Sequence, residues 1–423
     1  MKKWLICLLA ALMLIAMTAC GTQEANTPVP TEAPAKEVPA NPTEVPATPT
    51  EVPATNPSST DLTPSPTSTP TPSPEPALPG IKDVFAEYGM KAGTCLSEQM
   101  VTKDMYVNLI KENFNSITFE NHLKPDYILD QAASKAAGEI VVKFSPATEI
   151  LLDWCVENGF AMRGHTLIWH SQTPAWLFHE GFDTANPRAS REEMLIRMES
   201  YIRQTFELLE QGGWIQNFYA YDVLNEAWID DGSMRPESMW LQTIGDDYMW
   251  HAFNFANTYA PDYIDLYYND FNEQFKTEAL YNFIQTLKDE DGNYLIDGIG
   301  FQAHLYTEDD LDLYFAHMDK MATLGLKMNL TELDVCLGTY PIIKPATDDN
   351  LKAQGQWYYN LIAGILERVE AGTVKMDALT IWGFTDSLSW RKERNPMPFN
   401  MLLKPKYALY GILQMKELAG FDE

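Results

Sequence analysis

Tyr221-Asp222-Val223-Leu224-Asn225-Glu226-Ala227-Trp228 is a short run of apolar and aromatic residues around Asp222 that ends on an amide and a carboxylic acid. Such a run reads as a buried strand, and its last two polar side chains then stand at the strand's C-terminal end. Taken alone, Asn225 and Glu226 would be read as a cap on the segment that follows. The same form recurs at Asn329-Leu330-Thr331-Glu332-Leu333-Asp334, again a strand-like run closing on a glutamate. Caps do not require two strands that each deliver a glutamate. A reaction centre assembled from several strands does.

Outward from these two stretches, short apolar runs alternate with longer segments whose apolar residues fall three and four apart, the pattern of repeated βα units. Strands are expected at 91–96, 115–119, 161–166 (continuing to His170), 218–224, 264–268, 298–302, 326–331 and 378–382, with crossover helices such as 193–209 and 354–369. Eight such units predict an α/β fold, a (β/α)8 TIM barrel, in which functional groups stand at the C-terminal ends of the strands. Those ends carry Glu120 and Asn121, His165 and Trp169, Asn225 and Glu226, Asn269, Gln302 and His304, Glu332, and Trp382. The stretch between Lys124 and Phe144 reads either as a helix or as an inserted loop.

The rest of the 423 residues bounds the biology. Residues 1–19 have a basic start, an apolar run from Trp4 to Met17 and small residues before Cys20, which describes a lipoprotein-type signal peptide with Cys20 as the acylated residue. The run is short for a transmembrane span; ordinary secretion and an uncleaved anchor are the alternatives. Residues 20–79 are dominated by Thr, Pro, Ala, Ser and Glu, a disordered linker too poor in apolar residues to build a core. Residues 80–423 are then one catalytic domain, held outside a bacterial cell with a membrane contact only through the lipid on Cys20. A formal net charge of −29 repels nucleic acid and anionic lipid, and leaves a neutral polymer as a compatible partner. Cys95, Cys155 and Cys336 are scattered and odd in number, so they form no disulfide framework. His165 and His170 stand five apart with no paired cysteine, so neither a metal nor a cofactor is expected. A monomer is expected.

Two glutamates facing one pocket suit hydrolysis of a glycosidic bond, in which one protonates the leaving oxygen and the other acts at the anomeric carbon. Glu226 lies beside apolar residues and an amide, which favours the protonated form and the acid/base role. A histidine such as His304 near Glu332 would lower its pKa and make it the nucleophile. Asn225 is placed to hold a sugar 2-hydroxyl. His165 and His304 read as hydrogen-bond donors to sugar or to Glu332. Trp169, Trp382 and Trp390 lie at or beyond strand ends, where they serve as a stacking platform or as core.

Six ordered motifs resemble family 10 of the glycoside hydrolases, the endo-β-1,4-xylanases. They are Glu120-Asn121-His122-Leu123-Lys124, Arg163 to His170, Asp222 to Glu226, Gln302-Ala303-His304-Leu305, Thr331-Glu332-Leu333-Asp334, and Trp382 to Trp390. The resemblance implies a retaining, double-displacement reaction on xylan or xylo-oligosaccharides, with Glu226 as acid/base and Glu332 as nucleophile. It implies that His304 and Asp334 orient Glu332. It further implies that Lys124, His165, Trp169, Asn225, Gln302, Trp382 and Trp390 line the subsite of the cleaved sugar, and that Glu120 and Asn121 bind the next sugar on the glycone side. Tyr268 and Asn269 are expected to reach toward the aglycone side. The family usually has a Trp after the motif lysine, whereas Pro125 follows Lys124 here, and 125–143 is unfamiliar. The alternatives are a β-1,4-glucanase on the same barrel, and a catalytically inert lipoprotein that binds polysaccharide at the cell surface.

Overall fold

The strands that the apolar runs mark out all run parallel. The computed structural model describes residues 78–421; the expected signal segment, Cys20 and all of the linker but residues 78 and 79 lie outside them. Strands are β1 (Lys91–Leu96), β2 (Ser116–Phe119), β3 (Ala161–Trp169), β4 (Phe218–Asn225), β5 (Asp265–Asp270), β6 (Gly298–Phe301), a three-residue β7 (His304–Tyr306), β8 (Lys327–Cys336) and β9 (Met376–Ile381). Each strand from β1 to β6 pairs with the next, β6 pairs with β8, β8 with β9, and β9 returns to β1, so among the described residues eight parallel strands close into a barrel. The short β7 lies outside this ring and pairs along the outer half of β8, with His304 opposite Asp334.

The strands are buried on both faces, by the barrel interior and by the surrounding helices, which is why they read as near-continuous apolar runs. Gly164 on β3 illustrates the packing: a Cβ there would come within 2.2 Å of the Tyr221 ring on the neighbouring strand. β8 runs past the expected end at Thr331 as far as Cys336. Sequence polarity at Glu332 and Asp334 signalled a stop, but the barrel mouth supplies cations to both carboxylates and the strand continues.

Helix boundaries follow their caps. Arg191–Gln211 starts where the Ser190 side chain accepts a hydrogen bond from the Glu193 N–H at 3.2 Å, and it buries Met194, Met198, Ile202, Phe206 and Leu209 at helical spacing. Asp348–Glu370 starts six residues before the apolar pattern does, because Thr347 caps it and Asp348 and Asp349 suit the positive end of its dipole. The ambiguous stretch after Lys124 is two short helices, Pro125–Ile128 and Gln131–Ala137, the second capped by Asp130 and ended by Gly138 at φ +74°. Leu129 bridges back to Val142, and Ile140, Val142 and Phe144 are buried. Pro125 opens the first helix at a position where no N–H partner is needed, so Lys124 stands immediately before a helix start.

Candidate active site

The strand exits surround a cleft of about 890 Å³. Twelve of the residues singled out from sequence line it: Glu120, Asn121, Lys124, His165, Trp169, Asn225, Glu226, Gln302, His304, Glu332, Trp382 and Trp390. β4 and β8 carry the two glutamates to it from separate parts of the ring.

Glu226 follows the last residue of β4 with its backbone at φ +54°, a left-handed conformation that an ordinary side chain adopts only when its surroundings enforce it. They do so here. The Glu226 N–H donates to the Asn269 carbonyl at 2.9 Å, and the Glu226 carbonyl accepts from Arg235 Nε at 2.8 Å. Its carboxylate accepts from Trp169 Nε1 at 2.9 Å on Oε2 and from Gln302 Nε2 at 3.0 Å on Oε1. Trp169 is itself held by Trp240 Nε1, which donates to the Trp169 carbonyl at 3.1 Å. His170 lies 3.9 Å from Oε2, and burial, with Arg235 adding to it, lowers that ring's pKa below 6.5. The partners of the Glu226 carboxylate are therefore neutral donors near pH 7.

Glu332 sits in the opposite kind of surroundings. Its Oε1 accepts from Asn269 Nδ2 at 2.8 Å and lies 4.0 Å from His165 Nε2, while Oε2 is 3.3 Å from His304 Nε2. Burial pushes the carboxyl pKa up, but the His165 and His304 rings and the Arg163 guanidinium outweigh burial and hold it down at about 2. His304 bridges two acids, with Nδ1 3.2 Å from Asp334 Oδ2. Burial alone would lower the His304 pKa; Asp334 and Glu332 together push it up to about 10. Asp334 is fully buried outside the cleft, where it accepts from Trp390 Nε1 at 3.1 Å and pairs with Arg391.

On the β2 and β3 side, Lys124 Nζ donates to Gln172 Oε1 at 2.8 Å and to Asn121 Oδ1 at 3.2 Å, and lies 4.9 Å from the centre of the Trp169 ring. Burial lowers the Lys124 pKa and raises that of Glu120 beside it. Trp382 is buried edge-on to His165 at 5.6 Å, whereas Trp390 is 60% exposed and edge-on to His304 at 5.1 Å. Trp382 thus forms part of the floor, and Trp390 is open to stack on a ligand.

Two expected positions need correction. Tyr268 does not reach the cleft: it is fully buried, packed edge-on to Phe283 at 5.3 Å, with its hydroxyl hydrogen bonded to Asp270. Successive residues of a strand face opposite sides, so Tyr268 points to the helices while Asn269 points into the barrel. Nor is Asn269 an aglycone contact. It is fully buried beneath the cleft, where its side chain meets the Asn225 amide at 2.9 Å, Glu332 at 2.8 Å and the Thr331 hydroxyl at 2.5 Å. The residues of β5's exit that do line the cleft are Phe271 and Asn272, just past the strand.

Asp222 went unread in the sequence although the signal was there, an acid inside an apolar run. It accepts from His165 Nδ1 at 2.7 Å and pairs with Arg163, whose Nη2 donates to the Thr331 carbonyl at 2.8 Å. Gln172, Tyr306, Tyr340 and Ile343 also line the cleft; Tyr306 ends the three-residue β7, and the other three lie in loops whose sequence offers no periodicity to read.

Residues 80–415 match the sequence profile of Glycosyl hydrolase family 10. The chain belongs to glycosyl hydrolase family 10. Among its relatives, it is 36% identical over 345 residues to the bifunctional endo-1,4-beta-xylanase XylA of Ruminococcus flavefaciens, covering 79% of this chain and 34% of that protein. It is 32% identical over 345 residues to endo-1,4-beta-xylanase B of Butyrivibrio fibrisolvens, covering 79% of this chain and 53% of that protein. This family 10 chain thus spans about a third to a half of the length of these curated relatives. Of solved structures, it resembles the CBM22-1-GH10 modules of Clostridium thermocellum endo-1,4-beta-D-xylanase 10B complexed with xylohexaose, with a TM-score of 0.72, 31% identity, and coverage of 82% of this chain and 69% of that one. Family 10 membership agrees with the closed parallel barrel and with two glutamates at its C-terminal mouth.

Proposed function

We propose that the chain is an endo-1,4-β-xylanase that cleaves internal bonds of xylan and xylo-oligosaccharides with retention at the anomeric carbon. One observation carries the reading: Glu226 and Glu332 reach a single cleft, the first among neutral donors and the second among cations. Glu332, ionised, attacks the anomeric carbon while Glu226 gives its proton to the glycosidic oxygen, and the bond to the leaving chain breaks. Glu226, now a carboxylate, then takes a proton from water as that water attacks the same carbon and releases Glu332. His304, Asp334 and Asn269 act as positioning residues for Glu332. Asn225 is placed to bind the 2-hydroxyl, while Trp169, Gln302, His165, Lys124 and Trp382 surround the cleaved sugar and Glu120 and Asn121 the next glycone unit. Trp382 and Trp390 are the groups that would crowd the hydroxymethyl group of glucose, which xylose lacks.

The deciding experiment is reducing-sugar release by the whole chain on linear xylan and on carboxymethyl cellulose, with the first-formed anomer followed by NMR. Release from xylan with the β anomer first is expected. Equal release from cellulose would overturn the substrate, and the α anomer first would overturn the nucleophile. The Met1-to-Cys20 sequence and the Thr/Pro-rich stretch to residue 79 support an enzyme lipid-anchored at the bacterial cell surface. Fatty-acid labelling that survives in Cys20→Ala would overturn that placement.

A further inference from the structure

The wall of the cleft formed by the exits of β6, β8 and β9 carries a pair of arginines that the chemistry above does not use. Arg391 and Arg394 both line the cleft, and both guanidinium groups lie against the Tyr306 ring, at 4.4 and 5.4 Å from its centre. They form one patch in a chain with 59 acidic and only 30 basic side chains.

The two differ in how they are balanced. Arg391 is paired with Asp334 and serves the Glu332 relay. Arg394 makes no ion pair among the described residues. Its hydrogen bonds go to the backbone carbonyls of Ile342 at 2.7 Å, Pro341 at 3.1 Å and Thr339 at 3.4 Å. Carbonyls fix the planar fork without cancelling its charge, and they use Nη1 and Nη2 while Nε has no partner among these bonds. Glu393 also lines the cleft and subtracts from the local field, but its side chain is exposed. Glu308 is already paired with Lys344. A fixed, uncancelled guanidinium on a cleft wall matches a carboxylate ligand. Unsubstituted xylan, being neutral, offers it none.

Arg391 and Arg394 follow β9, and they meet Tyr306 at the end of β7, which lies along β8.

We infer that Arg394, backed by Arg391 and Tyr306, forms a subsite for a uronic acid side group of xylan on the wall of the cleft above β8 and β9. The inference rests on the xylanase reading above. A purely structural role is the competing explanation, since Arg394 also holds the 339–342 loop that presents Tyr340 and Ile343.

The test compares kcat/KM on xylo-oligosaccharides matched in length: unsubstituted, carrying a neutral arabinosyl group, and carrying a 4-O-methylglucuronosyl group. For the wild type, the uronosyl substrate is expected to be favoured over the arabinosyl one, and added salt should narrow that preference because it screens the contact. In Arg394→Gln the ratio of uronosyl to unsubstituted kcat/KM should fall by roughly tenfold, the scale of a charge-assisted hydrogen bond, chiefly through KM, with Arg394→Lys restoring part of it. A loop strut alone would lower all three substrates together and leave the ratio unmoved, which would overturn the inference. So would a wild-type preference that ignores salt. No cleavage of the unsubstituted substrate would instead overturn the xylanase reading itself.

Discussion

Replacing His304 by glutamine removes a cation from between two carboxylates and leaves the shape of the site largely intact. At 3.3 Å, two unit charges at an effective dielectric constant near 20 attract by about 5 kcal/mol. The fall of the Glu332 pKa from 4.5 to about 2 corresponds to about 3 kcal/mol in favour of the carboxylate. His304 supplies part of that fall beside His165 and Arg163, which remain in the variant. The acid limb of kcat/KM, set by protonation of the nucleophile, should therefore climb toward the ordinary carboxylate range in His304→Gln, by up to about two pH units. The assay is a pH profile on an aryl β-xylobioside whose leaving group needs little help from Glu226. An acid limb that stays where the wild type has it would refute the electrostatic account of Glu332.

Stability carries the same signature. The depressed Glu332 pKa stabilises the fold above pH 4.5, and that contribution is lost as pH falls through about 2. The raised His304 pKa stabilises it below pH 6.5, and that contribution is lost as pH rises through about 10. Both shifts include one and the same contact, so they are counted once. The melting temperature of the wild type should exceed that of His304→Gln most between pH 4.5 and 6.5, and the gap should close toward either extreme.

Two further substitutions probe the assignments separately. Asn269→Leu keeps the volume under the cleft but removes the donor to Glu332, and kcat should fall by about ten- to a hundredfold with KM little changed; an unaltered kcat would show that Asn269 is filler. Glu226→Ala should retain xylan binding and lose turnover, with azide restoring the rate on an activated aryl xyloside and giving a β-xylosyl azide. A product of α configuration would reverse the roles of the two glutamates.

The strand order and the two glutamates were legible because both leave local marks. A strand buried on both faces must be apolar along its length, and a polar group is tolerated at its end, so Asn225-Glu226 stands out from Tyr221 to Leu224 without any knowledge of neighbours. The ends of helices were legible only roughly: the apolar stripe of Asp348–Glu370 begins well inside the helix, and its true start depends on Thr347 as a cap.

What the sequence by itself determined was therefore the parallel barrel and the twelve marked residues that arrive at its mouth. The tertiary structure decided what each one meets there. Tyr268 and Asn269 are adjacent and were assigned the same duty, yet the pleat sends the first to the helices and the second beneath Glu332. Asp222 looks like a stray acid until β3 lays His165 and Arg163 against it. Glu226 and Glu332 are both glutamates at the barrel mouth, and nothing in their own side-chain chemistry sets them apart. The neutral donors from Trp169 and Gln302 around one, and the cations His304 and Arg163 around the other, come from strands distant in sequence. Charge acts through space, so only closure of the barrel gives the two acids different work.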